Sequence, residues 1–336
     1  MADEQPRRVL FLFAVMAGVL MLLLVAAVSR VLMPDTGSSD KPHVAILVAK
    51  GIDDQSWGSL AYESKQAVLN EFAVSASIHP FMRDGHLLTN VTTVLNEETP
   101  SLVIGHGREF SDVFTGLAEE RPDQHFVTLH GHQTHENQTV YTFSPIALDF
   151  FVGILMAWKT ESGTAGVIFP EAEASAERMA LMTKGAASQG SDLTVIKRIV
   201  AGREDGDGAV AAFRELKDEG ADIVYALGNS FNQRVIEQSI ECGTYMIGYL
   251  DDQSYMARDL VLTSVVNDVP NVYKAIVTDY IEGEMSGGIV NLTIEDGVMG
   301  FSELGPMFDA YERMQFRHLI DQYRDGNLAV PDPEVE

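Results

Sequence analysis

The sequence predicts an α/β protein of two lobes, each built on a parallel sheet with helices on both faces. Short apolar runs alternate with helical patterns of 10–15 residues, which is the rhythm of β-α-β units. The alternation occupies two successive stretches of about 100 residues each, enough for two lobes. The composition agrees: the 336 residues are 46% hydrophobic and 21% charged, enough apolar material for a sizeable core.

Residues 1–33 are read as a membrane anchor or signal. Val9 to Val28 is uncharged and apolar, about the 20 residues that cross a bilayer as a helix. Arg7 and Arg8 precede it, which favours an N-terminus inside and the globular part outside. Ala27-Val28-Ser29 offers a signal-peptidase site as the rival, but the apolar run exceeds a usual signal core, so a single-pass anchor is favoured. Residues 34–42, rich in Pro, Gly, Ser and Asp, form a linker.

The first lobe spans 43–145. His43 to Ala49 is an apolar run read as a buried strand. Trp57 to Phe72 is a helix on the spacing of Leu60, Ala61, Ala67, Val68 and Phe72. Ala73 to His79 is a strand, His86 to Asn96 a helix, Ser101 to Gly105 a strand and Glu109 to Glu119 a helix. Phe126 to Leu129 and Val140 to Phe143 are strands. Pro145 then opens an apolar helix to Trp158, at the position where its missing N–H costs nothing.

The second lobe spans 146–264. Strands are expected at 164–169, 193–200, 222–227, 245–249 and 260–265, and helices at 172–187, 207–218 and 231–241. Residues 265–336 form a crossover and C-terminal segment, part of which returns to the first lobe. It holds a helix at 269–282, short β segments at 290–294 and 298–301, and a last helix at 309–324.

Charge narrows the function. With 23 Lys and Arg against 49 Asp and Glu, the net charge is −26, which opposes a nucleic-acid-binding surface. The single cysteine, Cys242, excludes a disulfide scaffold and a cysteine-based zinc site. Two parallel sheets leave a cleft at the C-terminal ends of their strands, where such folds bind ligands. The loops 49–57, 105–110, 130–138, 228–231 and 249–255 border it, and none carries a nucleophile elbow, a zinc-protease motif or a phosphate loop. His106, Ser111 and Asp112 are spaced around one helix start, not as a nucleophile with its base. His130, His132 and His135 share one loop and are candidate metal ligands, with a solvated polar loop as the favoured reading. A binding protein, not an enzyme, is therefore expected, with no cofactor.

Gly51-Ile52-Asp53-Asp54-Gln55-Ser56-Trp57 after the first strand resembles the signature of the basic membrane protein family, the solute-binding proteins of ABC transporters that include purine nucleoside receptors. Ile247 to Ser254, Val261 to Val265 and the tail Asp325 to Pro331 extend the resemblance over about residues 43–331. Trp57-Gly58, with Gly248-Tyr249 ahead of Asp252-Gln253, is similar to the family's Med-like subgroup, whose members are named as regulators of competence. The resemblance implies the type I periplasmic-binding-protein fold, two Rossmann-like lobes joined by three crossings. It also implies a small-molecule solute, nucleoside-like, captured by hinge closure, and an ABC permease as partner.

The resemblance places Asp54, Gln55, Trp57, Phe231 and Asp252 at the ligand. Trp57 can stack on a ring or pack at the helix start, and Asp54 can hold the ligand or cap the helix. Phe231 can close an aromatic sandwich or simply pack, and Asp252 can hold sugar hydroxyls or sit in a solvated turn. Three positions depart from the family's nucleoside binders. Val48-Ala49 stands where they read the purine with Asp, Gly58 where they have Asn, and Asn267 where Lys holds the ribose. Polar groups lost from such a site lower its affinity for the original ligand.

Overall fold

The computed structural model describes residues 41–332 apart from Gln55, Arg83, Asp84, 172–174 and Asn229. The apolar run Val9–Val28 and most of the linker lie outside the described residues. Among the described residues no helix is long and apolar enough to cross a membrane.

The first lobe starts with β1 (His43–Val48), α1 (Trp57–Glu71), β2 (Ser75–His79), α2 (Leu87–Glu98) and β3 (Leu102–His106). After a 3-10 turn at Arg108–Phe110 come α3 (Ser111–Glu120), β4 (His125–Leu129) and β5 (Gln138–Phe143). The chain then passes to the second lobe through α4 (Ile146–Lys159), β6 (Thr164–Phe169), α5 (Ser175–Ala187), β7 (Thr194–Ile199) and α6 (Gly206–Asp218). That lobe continues with β8 (Ile223–Ala226), α7 (Phe231–Cys242), β9 (Tyr245–Leu250) and β10 (Val261–Asn267). Next, α8 (Val269–Glu282) and β11 (Gly288–Leu292) return to the first lobe, before β12 (Met299–Phe301) and α9 (Ala310–Arg324) go back to the second.

The first sheet has strand order β2-β1-β3-β4-β5-β11, all parallel. The second has order β7-β6-β8-β9-β10-β12, parallel except that β12 runs antiparallel to β10. In both, helical crossovers link strands that run parallel, so helices must cover both faces. The period of two shows in β1: Val44, Ile46 and Val48 pack under α1 and α8, while Ala45 and Leu47 pack under α2 and α3. The second sheet divides the same way, with Val167 and Phe169 against α4 and α9, and Ile168 against α6 and α7. Each fully buried Leu, Ile, Val or Phe contributes about 1.5–3 kcal/mol relative to exposure.

Three connections join the lobes: Ser144–Pro145 after β5, Asp268 after β10, and the stretch between β11 and β12. Asp268 caps α8 by accepting the Asn271 N–H, and Pro270 follows in the first turn, so this second connection ends in a sharply defined helix start. The tail β segment sits at Gly288–Leu292, two residues earlier than its apolar pattern suggests, and its Ile289 and Val290 are exposed at the sheet edge.

Candidate functional site

The C-terminal ends of both sheets meet at one cleft, with a cavity of about 810 Å³. From the first lobe it is lined by Val48 to Gly51 at the end of β1, the start of α1, the end of β3 with the residues after it, His130 just after β4, and Phe143 at the end of β5. From the second lobe come Leu148, Arg178, Tyr225, Tyr249 and Val265, with Ala201 to Asp205 in the loop after β7.

Asp54 and Trp57 both reach this cleft. The Asp54 carboxylate is taken up by backbone: it accepts the N–H groups of Ser56, Gly58 and Ser59 at about 3.0 Å each. It thus satisfies the open first turn of α1 from two residues before the N-cap position, which Ser56 occupies. Trp57 starts α1 with its ring half-buried on the cleft wall. The indole stacks on the His106 imidazole (centroids 4.3 Å apart, 26° between planes), and Nε1–H donates to the His106 carbonyl at 3.3 Å.

His106 is locked from both sides. Its Nε2 lies 2.7 Å from the Trp57 carbonyl oxygen, which can only accept, so Nε2 carries the proton. Nδ1 then accepts from the Tyr273 hydroxyl of α8 at 2.9 Å. Burial lowers its pKa to about 4, against the Trp57 hydrogen bond and Asp54, so the ring is neutral. His130 continues the wall, 5.6 Å from Trp57 and 5.2 Å from Phe143 between centroids. Burial, then Arg203, Arg108 and His106, lower its pKa to about 3. Its φ is +62°, and Leu250, which lines the opposite side, has φ +75°. Among the described residues only four non-glycines have positive φ, so two at the cleft mark a place where the backbone is held under strain.

In the second lobe α4 and α5 bring together a buried ion pair. Arg178 donates Nε and Nη2 to the two Asp149 oxygens at 2.6 and 2.8 Å, with Asp149 wholly buried. Burial raises the Asp149 pKa while Arg178 opposes it; the two parallel bonds are the geometry of an ionised pair. Tyr225 and Tyr249 stand beside it, edge to face, 6.1 Å apart. At the rim, ion pairs bridge the lobes: Lys50 with Glu204, and Arg108 with Glu171 at 3.3 Å, while Arg203 also holds Glu171 at 3.2 Å.

Two expected site residues lie elsewhere. Phe231 is fully buried in the core beneath β8 and β6, with Ile168, Val235 and Ile236. Gly228 lets it in: a Cβ there would strike the Phe231 ring. Asp252 is exposed in the turn after β9, accepts the Ser254 N–H at 3.0 Å and does not line the cavity. In that turn it is Gln253 that goes inward, accepting the Tyr249 N–H at 3.1 Å. Gln55 lies outside the described residues. Val48, Ala49, Gly58 and Asn267, the positions of the departures, all line the cleft. An asparagine at 58 would not fit, because a Cβ there would meet the Gly51 carbonyl.

The loop histidines diverge. His130 faces the cleft, His132 is exposed 3.9 Å from Asp112, and His135 bonds Asn137 at 2.6 Å. Among the described residues no three His, Cys, Asp or Glu side chains are arranged to hold a metal ion. His106, Ser111 and Asp112 do not assemble either: both His106 nitrogens are occupied, and Asp112 faces His132 at the surface. The cleft-lining residues missed from sequence are Phe143, Arg178 and Tyr225, while His106 and Tyr249 fall in loops expected to border the cleft but were given no part at a ligand. All sit inside helices, strands or their ends, where their types read as ordinary core.

Comparison with known proteins agrees with this architecture. The family model described as "ABC transporter substrate-binding protein PnrA-like" matches residues 41–326. A curated relative, "Transcriptional activator protein med" of Bacillus subtilis (strain 168), is 29% identical, covering 88% of this chain and 92% of its own. A solved structure, a transcriptional activator of the comK gene from Bacillus halodurans, superposes with TM-score 0.78 at 26% identity, covering 85% of this chain and 99% of its own. An ABC transporter solute-binding protein from Conexibacter woesei shares the fold, with TM-score 0.70 at 16% identity over 88% of this chain and all of its own.

Proposed function

The chain belongs to the PnrA-like ABC transporter substrate-binding protein family, and on that premise we propose that it captures a small, nucleoside-like solute in the cleft by hinge closure, without covalent chemistry. The observation that carries this reading is the cleft itself. Its volume suits one small molecule, and aromatic side chains face it from both lobes, Trp57 and Phe143 from one and Tyr225 and Tyr249 from the other. Flat rings on opposed walls suit a planar heterocycle. Three connections between otherwise separate sheets provide the hinge.

The apolar run Val9–Val28 would then tether the protein in the membrane with the binding unit outside, where an ABC permease reads the closed state. A second reading rests on the two relatives named as transcriptional activators, which are more similar in sequence than the Conexibacter protein. Here the same cleft senses a solute and passes the closed state to a protein partner. The net charge of −26 speaks against direct DNA contact in that role.

The test is thermal unfolding of the full chain, held in detergent, with inosine, adenosine, uridine and cytidine. A ligand at a hundred times its dissociation constant stabilises by about 2.7 kcal/mol. At least one nucleoside should raise the melting temperature, and Trp57→Ala should weaken that ligand about tenfold by removing the stacking surface. Melting curves unmoved by all four nucleosides would reject the nucleoside reading and leave the cleft to a protein partner or another solute.

A further inference from the structure

Among the described residues, three nitrogen heterocycles line the first-lobe wall of the cleft: Trp57, His106 and His130. Two of them have nothing left to offer a solute. Trp57 spends its single N–H on the His106 carbonyl, and His106 has one nitrogen on the Trp57 carbonyl and the other on the Tyr273 hydroxyl. His130 differs. Neither of its ring nitrogens has a hydrogen-bond partner among the described residues, although the ring packs against Trp57 and Phe143. The backbone holds it there: its N–H donates to the Tyr141 carbonyl at 2.7 Å, and its positive φ turns the chain at the end of β4. Packing alone would be served better by an apolar ring, because a polar group without a partner in an aromatic wall costs stability. Burial and the nearby Arg203 and Arg108 keep the imidazole neutral, with one N–H donor and one lone pair. In His106 the Trp57 carbonyl fixes which nitrogen carries the proton. In His130 no protein group fixes it, so either nitrogen can donate or accept.

We propose that His130 reads the base by pairing with the exocyclic group that is oxo in inosine and uridine and amino in adenosine and cytidine, taking either alike and rejecting a ring that has neither. This rests on the nucleoside-like reading of the cleft and names the residue that reads the ring. Stacking against the aromatic walls holds the faces of a flat ring and is blind to its edge. The end of β1 brings no polar side chain to that edge, since Val48 and Ala49 line the cavity there. The exocyclic group projects farthest from the ring, and it is a donor in one base and an acceptor in the next. A neutral imidazole whose proton can sit on either nitrogen meets both. A ring without the group leaves the imidazole unpaired in the filled cleft, and a polar partner gone missing is the loss that binding sites register most strongly.

The test is titration calorimetry on the full chain in detergent, with inosine and adenosine beside purine riboside, and uridine and cytidine beside pyrimidin-2-one riboside. The third member of each set lacks the group that distinguishes the other two. In whichever set binds, the oxo and amino members should lie within about fivefold of each other, and the third should bind about tenfold more weakly or worse. His130→Phe, which keeps a flat ring and removes both nitrogens, should weaken the first two about tenfold and bring all three within about threefold. A purely structural role for His130 would weaken all three alike and keep the gap. Phe strains a backbone at positive φ, so one readout needs no variant: an isotope-labelled ring nitrogen of His130 should shift its magnetic resonance when the oxo or amino member binds. No gap in the wild-type chain, a gap that survives His130→Phe, a preference of about tenfold within an oxo–amino pair, or a His130 nitrogen unmoved by binding overturns the assignment while the nucleoside reading stands. No binding by any of the four nucleosides overturns that reading and this assignment together.

Discussion

His106 joins three elements through one ring: it stacks on Trp57, donates to the Trp57 carbonyl and accepts from Tyr273 of α8. The Tyr273 bond as drawn needs the neutral ring: a protonated Nδ1 would donate, and the Tyr273 hydroxyl would have to turn from donor to acceptor. The pH dependence follows from the sign of its shift. The folded pKa, about 4, lies below the ordinary value of 6.5, so the unfolded chain binds the extra proton first. Stability from this residue is complete above about pH 7 and is lost as pH falls toward 4. By linkage the loss between pH 7 and pH 5 is about 2 kcal/mol. Urea unfolding at the two pH values measures it, and the difference should shrink by about that amount in His106→Gln. An unchanged pH dependence in that variant would assign the effect to other groups. His130, lowered to about 3, and His125, lowered by burial, act in the same direction and contribute to what remains in the variant.

At the scale of elements, the tightest packing is between α4 and α5, where two glycines let the backbones touch. A Cβ on Gly153 would run into the Met182 carbonyl, and one on Gly185 into the Phe150 carbonyl. Gly153→Ala should therefore destabilise by about 1–3 kcal/mol despite the better helix propensity of alanine, since carbonyls in a helix cannot swing aside. A lowered urea midpoint with unchanged slope checks this. Because α5 carries Arg178 and α4 carries Asp149, the same variant should also disturb the ion pair at the cleft. None of this closeness is visible in the sequence, where both glycines read as weak points in helices. The strands are different. Val44 to Val48, Leu102 to Ile104 and Ala165 to Phe169 are apolar on both faces, so their burial can be read directly from composition. The residues at the cleft divide along the same line. Trp57 and Asp54 were legible because a turn after a strand end must border the cleft. Phe231 was misplaced because its burial depends on the space left by Gly228, a contact no spacing rule records. Arg178 and Tyr225 were invisible because a mid-helix Arg and a strand Tyr are ordinary until their neighbours are known.

For the whole molecule the question is what holds the two lobes together around a solute. Among the described residues, the rim pairs Lys50–Glu204 and Arg108–Glu171 are the charged contacts that span the cleft, and they are about half exposed. Exposed pairs contribute little each, up to about 1 kcal/mol, and are screened by salt. Under the proposed hinge closure they would act as a weak latch: enough to bias closure once a solute fills the cavity, too weak to close it alone. Glu171 is the informative member because Arg108 of the first lobe and Arg203 of the second both hold it. Glu171→Gln should leave the urea midpoint nearly unchanged, since its partners reach solvent. Solute affinity should fall about two- to fivefold, within the range of one exposed pair. The fall should also be smaller at 0.5 M salt than at 0.05 M, because salt has already screened the wild-type latch. A variant that binds like wild type at both salt concentrations would show that closure rests on the aromatic walls and the buried second-lobe groups alone. The wild-type affinity would then be set by ring stacking and by the polar groups within the cavity, with the rim charges left to steer the encounter.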